Sequence, residues 1–329
     1  MSGLESSREF FIPIMQSATQ PLPRAEKPTG GKDVSHLLKN AILLARNNEH
    51  QLAMNLLRTA LAHKPNDRVA LKWLGYCFKE TGKLNEAIRC FTAFDEQIAD
   101  SDVLFFVSEC YYLLEKDQVA NQGYIELLSR VDVAEERRFE AYKNLGNIYV
   151  RAGDFDAAEE SYDKAYTINP SSDVLMVNYG TLEIQRENLS AAIERFRQAV
   201  QLRPSNDKAW VGLAMVHRHM GDIELSQANI ERALDINPKN RTALNLIIEW
   251  EASANCFNSS ITRLQQYLSI ESEDAEMAFA LAKIFAHSNR IDDANLEMAR
   301  VLALDPAIEG GLQLMAVLHN EKTRRILTR

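Results

Sequence analysis

Residues 139–170 read FEAYKNLGNIYVRAGDFDAAEESYDKAYTINP. The stretch holds two runs of apolar residues at three- and four-residue spacing, which is typical of two amphipathic helices. Gly153 stands between the runs, where a helix commonly ends on a left-handed glycine, and Pro170 follows the second run and prevents its continuation. Gly146 and Ala158 are small, as the crossing point of two closely packed helices requires. The stretch therefore predicts a packed helix pair.

The same pattern recurs along the chain. Prolines 170, 204 and 238 are 34 residues apart, and Pro306 lies two further periods on. One column of the aligned repeats is small, and holds Ala53, Ala87, Ala120, Ala158, Ala192, Ser226, Ser260 and Ala294. Another column is large, and holds Leu57, Phe91, Tyr124, Tyr162, Phe196, Ile230, Leu264 and Met298. One such unit cannot bury its own apolar face, so neighbouring units are expected to stack as a solenoid.

This residue pattern resembles that of the tetratricopeptide repeat (TPR) family, whose unit has 34 residues with small and large residues at these positions. The resemblance implies an all-α fold, a right-handed superhelical solenoid of eight helix pairs with a C-terminal capping helix. Repeats 1–3 are predicted at 34–134, repeats 4–8 at 135–308 and the cap, with a polar outer face, at 309–329. Residues 1–33 contain no repeat and several prolines, so we expect a disordered tail.

Two places depart from the pattern. Residues 135–138, EERR, are extra, and four residues are about one helical turn, which predicts a longer first helix in repeat 4. Asp132 and Glu135 have the spacing of a helix start. Repeat 7 carries Ile248 at a small position and Glu251 at a large apolar one. We therefore expect repeat 7 to be the least regular unit.

Composition limits the kind of partner. The 329 residues carry a net charge of −9, which opposes bulk attraction to nucleic acid or to an anionic membrane. The four cysteines form no C-x-x-C pair, which favours reduced thiols in the cytoplasm. We find no signal-peptide pattern and no apolar run of membrane-spanning length, so we expect no membrane insertion.

Catalytic motifs are not evident in the sequence. PTGGKD at 28–33 lacks the first glycine of a phosphate-binding loop and has Asp33 where a hydroxyl is required. His217 and His219 are two residues apart on a predicted helix, which is the wrong spacing for a shared face. We therefore predict a protein that is not an enzyme, with no cofactor and no metal site.

In TPR arrays the first helix of each unit presents positions 2, 5, 6, 9, 12 and 13 to the ligand, and the resemblance carries this over. In repeats 2 and 3 these positions hold Lys72, Trp73, Tyr76 and Phe105. Aromatic side chains dominate binding hot spots, so we interpret the set as a peptide-binding surface. Local packing against the next helix is the alternative for each residue by itself.

A second set is similar to the dicarboxylate clamp of TPR co-chaperones, which holds the C-terminal carboxylate of a peptide. Lys143, Asn147, Asn178 and Lys208 match four of its five positions, and the fifth, normally arginine, is Gly212. Ammonium and amide groups that converge on a carboxylate form charge-assisted hydrogen bonds. The alternative is that the lysines are ordinary solvated side chains and that the asparagines are common TPR residues.

The predicted function is that of an adaptor or scaffold that binds a peptide segment or protein tail in the concave TPR groove. A self-assembling structural protein is the alternative, and an RNA-binding helical-repeat protein is disfavoured by the period and the charge. The tail contains one apolar run, FFIPIM at 10–15. We predict that Phe10, Phe11 and Ile12 dock into the groove of repeats 1–3, in the same chain or in a second copy.

Overall fold

The computed structural model describes residues 34–93, 100–254 and 256–327, with side chains up to residue 320. Within these ranges the chain forms 17 α-helices and no strand. Consecutive helices pack as pairs, which confirms the predicted all-α architecture of helix pairs. The helices are α1 (Ser35–Arg46), α2 (His50–His63), α3 (Arg68–Glu80), α4 (Leu84–Phe91), α5 (Ser101–Leu113), α6 (Asp117–Ser129), α7 (Glu135–Ala152), α8 (Phe155–Ile168), α9 (Asp173–Gln185), α10 (Leu189–Leu202), α11 (Asp207–His219), α12 (Ile223–Ile236), α13 (Arg241–Ala254), α14 (Asn258–Ile270), α15 (Ala275–His287), α16 (Ile291–Leu304) and α17 (Gly311–Leu327).

The chain divides into two compact units, residues 1–170 and 171–329. Unit 1 contains α1–α8 and unit 2 contains α9–α17. The sequence predicts a different boundary, after residue 134, between two blocks of repeats. That boundary stays a prediction. The FFIPIM run and the rest of the predicted tail lie outside the described residues. No helix in the described ranges is long and apolar enough to cross a membrane.

Polar caps start many of the first helices. The Asp67 carboxylate accepts hydrogen bonds from the backbone N–H groups of Val69 and Ala70, at 3.1 and 3.0 Å. Such a cap satisfies donors that the first turn of a helix leaves without partners. Asp100, Ser172, Asn206 and Asp274 cap other first helices in the same way.

Helix α7 has 18 residues and begins at Glu135, so residues 135–138 form its first turn. Asp132 does not cap it; the N-cap residue is Ala134, which makes no side-chain cap. The Asp132 carboxylate instead accepts from the Ser101 hydroxyl at 3.1 Å. The expected D-x-x-E start is therefore wrong. The Arg138 guanidinium holds the preceding loop by donating to backbone carbonyls, including that of Val133 at 3.3 Å.

Left-handed residues make the turns between paired helices. Gly82, Gly153 and Gly221 have φ of 75°, 77° and 81°, as the sequence predicts for these turns. Four other turns use a non-glycine residue with positive φ, at Asn48, Glu115, Glu187 and Asn289. The same backbone geometry is thus kept where a side chain strains it.

Small residues allow the paired helices to approach each other. A Cβ atom added at Gly146 would lie 2.1 Å from the Tyr162 ring, and one at Gly75 would lie 2.7 Å from the Phe91 ring. The alanines of the small column are fully buried at the same crossings. The large and small columns of the repeat therefore pack against each other as predicted.

Ser226 and Ser260 replace alanine in this column and are 1% and 0% exposed. Within the described residues their hydroxyl oxygens have no hydrogen-bond partner. Burial of a polar group without a partner costs free energy. We expect Ser226→Ala and Ser260→Ala each to raise the free energy of unfolding by about 1 kcal/mol, measured by urea denaturation.

Ser161→Ala is the control for this pair. Ser161 is also buried, but its hydroxyl donates to the Ala157 carbonyl at 2.8 Å. Removal of that hydroxyl should leave stability unchanged or lower it. Equal effects of all three substitutions would show that the hydroxyls of Ser226 and Ser260 carry no penalty.

Repeat 7 is less regular than the others, because its two helices, α13 and α14, pack less extensively than the two helices of any other repeat in the described chain. Glu251, which stands at a large apolar position, caps α14 instead. Its carboxylate accepts from the backbone N–H groups of Ser259 and Ser260 at 3.1 and 2.8 Å.

The cap helix α17 differs from the prediction of a polar outer face. Leu312 is 77% exposed and Val317 is 55% exposed. Leu312 takes the place of a residue that packs on the second helix of its own unit. Leu312 therefore lies on the surface of the described part of the chain.

Candidate functional site

Aromatic rings cover the first-helix surface of repeats 2 and 3 in unit 1. Trp73 and Tyr76, both on α3 and half-buried, meet edge to face with ring centroids 5.5 Å apart. Tyr76 also contacts the Phe106 ring on α5 at 5.7 Å. The Arg46 guanidinium lies over the Trp73 ring at 5.5 Å. The structure thus brings Trp73 and Tyr76 together, in contact with their neighbours.

Phe105 is not part of this surface. It is 1% exposed, contacts the Tyr124 ring at 6.2 Å and is covered by the Arg137 guanidinium at 4.5 Å. Arg137 lies in the extra turn of α7, so that turn closes over the Phe105 ring. We therefore correct the predicted set and leave Phe105 in the core.

Carboxylates neutralise Lys72 on the same surface. Its ammonium group pairs with Asp100 at 2.8 Å and with Asp102 at 3.2 Å. Burial raises the pKa of Asp100, but the hydrogen bond and charge of Lys72, together with two backbone N–H hydrogen bonds, outweigh it and hold that pKa below its usual value. Lys72 therefore joins repeats 2 and 3, and its charge is already balanced.

The predicted clamp residues of unit 1 also have internal partners. The Lys143 ammonium pairs with the Glu140 carboxylate one turn earlier in α7. The Asn147 amide donates to the Tyr112 hydroxyl at 2.9 Å and accepts from the Tyr162 hydroxyl at 2.7 Å. Asn147 therefore bridges a first helix of repeat 3 and a second helix of repeat 4.

The other two clamp residues lie in unit 2. Asn178 is half-buried on α9, and Lys208 is exposed in the first turn of α11. Within the described residues Lys208 has no ion-pair partner. The clamp set is thus divided, with Lys143 and Asn147 in unit 1 and Asn178 and Lys208 in unit 2.

Steric crowding explains why the fifth clamp position, residue 212, is a glycine. A Cβ atom added there would lie 2.3 Å from the Phe196 ring, and one at Gly180 would lie 2.7 Å from the same ring edge. The Phe196 ring, from the second helix of repeat 5, therefore fills the place where a side chain of residue 212 would begin. An arginine at 212 requires the buried ring to move.

A groove of about 420 Å³ opens above this ring, and we call it the Phe196 groove. Its size is in the range of pockets that hold small ligands or side chains. Most of its lining comes from the first-helix positions that the resemblance implies are ligand-facing. The lining residues are Val177, Thr181, Ile184, Gln185, Phe196, Asp207, Lys208, Val211, Gly212, Met215, Asn237, Asn240 and Thr242.

Hydrogen bonds hold one wall of the Phe196 groove. The Asp207 carboxylate accepts from the side-chain amides of Asn237 and Asn240 at 2.7 and 2.8 Å. These bonds fix the loop before α13 against the start of α11. The indole of Trp210, on α11, donates to the carbonyl of Pro204 in the loop before that helix, at 2.9 Å. The groove is therefore a preformed feature of the loop and helix packing.

Two family models described as tetratricopeptide repeat match residues 139–172 and 183–247. Both stretches are tetratricopeptide repeats. The first match covers the helix pair α7 and α8, and the second runs from α9 into α13.

Solved structures share the fold of this TPR protein at low sequence identity. A tetratricopeptide repeat protein from Parabacteroides merdae is 18% identical, with a TM-score of 0.53 over 88% of this chain and 100% of that one. PilF of Pseudomonas aeruginosa is 15% identical, with a TM-score of 0.52 over 66% of this chain and 97% of that one. A chain of the Cut9–Hcn1 hetero-tetramer of APC/C is 16% identical, with a TM-score of 0.50 over 86% of this chain and 55% of that one. No curated protein sequence matches the chain.

The Phe196 groove is the feature of the TPR protein that single-residue reasoning missed. The sequence shows two glycines, Gly180 and Gly212, on consecutive first helices, but it does not show that the Phe196 ring lies against both of them. Among the described residues, no three histidine, cysteine, aspartate or glutamate side chains are placed to hold a metal ion.

Proposed function

We propose that this TPR protein is an adaptor or scaffold that binds a segment of another protein in the Phe196 groove. The observation that carries the proposal is the groove itself, which is preformed and lined by first-helix residues of repeats 5 and 6. TPR repeats indicate a role in protein–protein interaction, and the peptide and its position are our inference. Trp73, Tyr76 and Lys72 form a second proposed contact surface on unit 1.

The capture of a C-terminal carboxylate stays a prediction. Lys208 is the member of the clamp set that supports it, because it is exposed at the rim of the groove. Lys143 and Asn147 are engaged within unit 1. The comparison of free-acid and amidated probes described below tests this prediction.

The experiment for the adaptor proposal is a pull-down with the full chain as bait. Thr181 is exposed on the rim of the groove, and its hydroxyl donates to the Val177 carbonyl at 3.0 Å. Thr181→Phe should fill the groove without entering the core. We expect proteins that wild type enriches to be lost, because the recess proposed to take the partner side chain is closed.

Thr262→Phe is the matched control. Thr262 lies on α14 of the same unit, is exposed and donates to the Asn258 carbonyl at 3.1 Å. It should retain every partner. If Thr181→Phe also retains them all, the Phe196 groove is not the interface.

Self-assembly is the second candidate, favoured by the exposed Leu312 and Val317 on α17. The predicted docking of Phe10, Phe11 and Ile12 into a second copy belongs to this proposal and involves residues outside the described ranges. Light scattering of the full chain over a range of concentrations tests it. A mass that stays that of the monomer contradicts it.

We propose the cytoplasm as the compartment. Cys77 and Cys110 form no disulfide, and burial raises the pKa of these thiols to about 11 and about 12, respectively. Thiols of this kind are inert and are typical of proteins kept in reducing conditions. Fractionation of the source cells tests this, and recovery in an exported or membrane fraction contradicts it.

A further inference from the structure

The chemistry of the Phe196 groove follows from the absence of a side chain at Gly212. A first-helix position that faces the ligand has no side chain there, and the edge of the Phe196 ring lies in its place. Two helices confine the ring, because Gly180 on α9 and Gly212 on α11 both lie close to the same ring edge. The base of the groove is therefore a fixed aromatic edge instead of a flexible polar group.

The groove walls are apolar on the sides that α9 and α11 contribute. Val177 and Ile184 on α9 and Met215 on α11 are half-buried and line it. A bulky aliphatic or aromatic side chain placed among them would remove apolar surface from water on both partners. The hydrophobic effect grows with the apolar area removed from water, so the walls favour a large apolar side chain over a small one.

One cation lies at the rim of the groove, next to one carboxylate. Lys208 is exposed and without an ion-pair partner in the described part of the chain. The neighbouring Asp207 carboxylate is engaged by the amides of Asn237 and Asn240. The rim therefore presents one solvated cation beside an apolar recess, which complements an acidic group next to an apolar side chain.

We propose that the Phe196 groove binds an internal, extended segment of a partner protein that carries a bulky apolar residue next to an aspartate or glutamate. The apolar side chain enters the recess above Phe196, and the acidic side chain meets Lys208. A free chain end is not needed, because Gly212 stands in place of the clamp arginine and the clamp residues Lys143 and Asn147 are engaged within unit 1. This inference rests on the proposed function and names the partner chemistry of the same groove.

The test uses short probes and methyl signals of the full-length chain. Resonances of Val177, Ile184, Val211 and Met215 report on the groove in NMR titrations. The probes are N-acetyl-leucinamide, N-acetylglycine, N-acetyl-leucine, and the amidated dipeptides N-acetyl-Glu-Leu and N-acetyl-Gln-Leu. They separate the apolar side chain, the terminal carboxylate and the acidic side chain.

We expect N-acetyl-leucinamide to shift these methyl signals and N-acetylglycine to leave them unchanged. N-acetyl-Glu-Leu-amide should bind about three- to fivefold more tightly than N-acetyl-Gln-Leu-amide, the size expected for an exposed ion pair. Lys208→Gln should abolish that difference and leave leucinamide binding intact. Thr181→Phe should weaken every leucine probe about tenfold, because one buried side chain supplies most of the contact.

Matched lysine and threonine variants control for changes elsewhere. Lys239→Gln removes an exposed lysine that pairs with Glu271 in the same unit, and it should keep the Glu-over-Gln preference. Thr262→Phe should leave all affinities unchanged. A loss of preference in Lys239→Gln would mean that overall charge, and not Lys208, produces it.

Several results would overturn the proposal. If N-acetyl-leucine shifts the signals and the three amidated leucine probes do not, the groove binds a chain end. If alanine at Phe10, Phe11 and Ile12 moves the Ile184 and Met215 signals without any probe, the tail of this chain is the occupant. If leucine probes fail while pull-down partners still depend on Thr181, the adaptor proposal stands and this partner chemistry is wrong.

Discussion

Gly146→Ala is expected to lower the free energy of unfolding by about 2–4 kcal/mol. The added Cβ atom would lie 2.1 Å from the Tyr162 ring, which is 1% exposed and hydrogen-bonded through its hydroxyl. The ring therefore has no open space into which it can move. An alanine inside a helix is otherwise more stable than glycine by about 1 kcal/mol, so the sign of the effect is itself informative. Urea denaturation followed by circular dichroism measures it.

A substitution of the contacting ring controls this prediction. Tyr162→Leu removes the ring that the new Cβ meets, so Gly146→Ala should cost much less in that background than in wild type. Gly75→Ala, whose Cβ would lie 2.7 Å from the Phe91 ring, should cost less than Gly146→Ala. An unchanged or raised stability in Gly146→Ala would contradict the close crossing of α7 and α8.

The same helix pair shows what the sequence predicts well. The contact of Gly146 with Tyr162 and the left-handed turn at Gly153 both lie within one 34-residue unit. Each depends on residue size or backbone geometry that is visible in the local pattern, and its recurrence fixes the register. For this reason the helix pairs, their crossings and three of the turns follow from the sequence.

The side chains that join different repeats are harder to predict. Phe105 is assigned to the binding surface by its position number, yet the Arg137 guanidinium covers it from the extra turn of α7. The pattern places Asp132 at a helix start, but its carboxylate meets Ser101 from an earlier helix. Such partners depend on how adjacent units are stacked, and a period does not specify that.

The candidate site illustrates the same limit. The sequence shows that Gly212 replaces an arginine of the clamp pattern, which predicts a weaker hold on a carboxylate. It does not show that the Phe196 ring fills the space, because that ring comes from the preceding repeat and reaches past Gly180. The change from a charged to an apolar surface is therefore visible only with the helices packed.

Asn147→Ala is expected to lower the free energy of unfolding by about 2–3 kcal/mol in the absence of any ligand. Asn147 is predicted from the clamp resemblance to bind a peptide, but its amide lies between two tyrosine hydroxyls. It donates to Tyr112 at 2.9 Å and accepts from Tyr162 at 2.7 Å. Alanine removes both bonds, and the Tyr162 hydroxyl loses its acceptor in the core. Chemical denaturation of the full chain measures the effect.

A double-mutant cycle separates this structural role from a ligand-binding one. Tyr162→Phe removes the hydroxyl that Asn147 accepts, so Asn147→Ala should cost less in that background, with a coupling of about 1 kcal/mol. Lys143→Ala is the comparison from the same clamp set. Lys143 pairs with Glu140 one turn away in α7, and an ion pair between such neighbours on a helix contributes about 0.2–0.5 kcal/mol, so its removal should lower stability less than Asn147→Ala does. If Asn147→Ala lowers the free energy of unfolding no more than Lys143→Ala does, the hydrogen bonds to the two tyrosines do not stabilise the fold. Asn147 is then again a candidate for ligand binding.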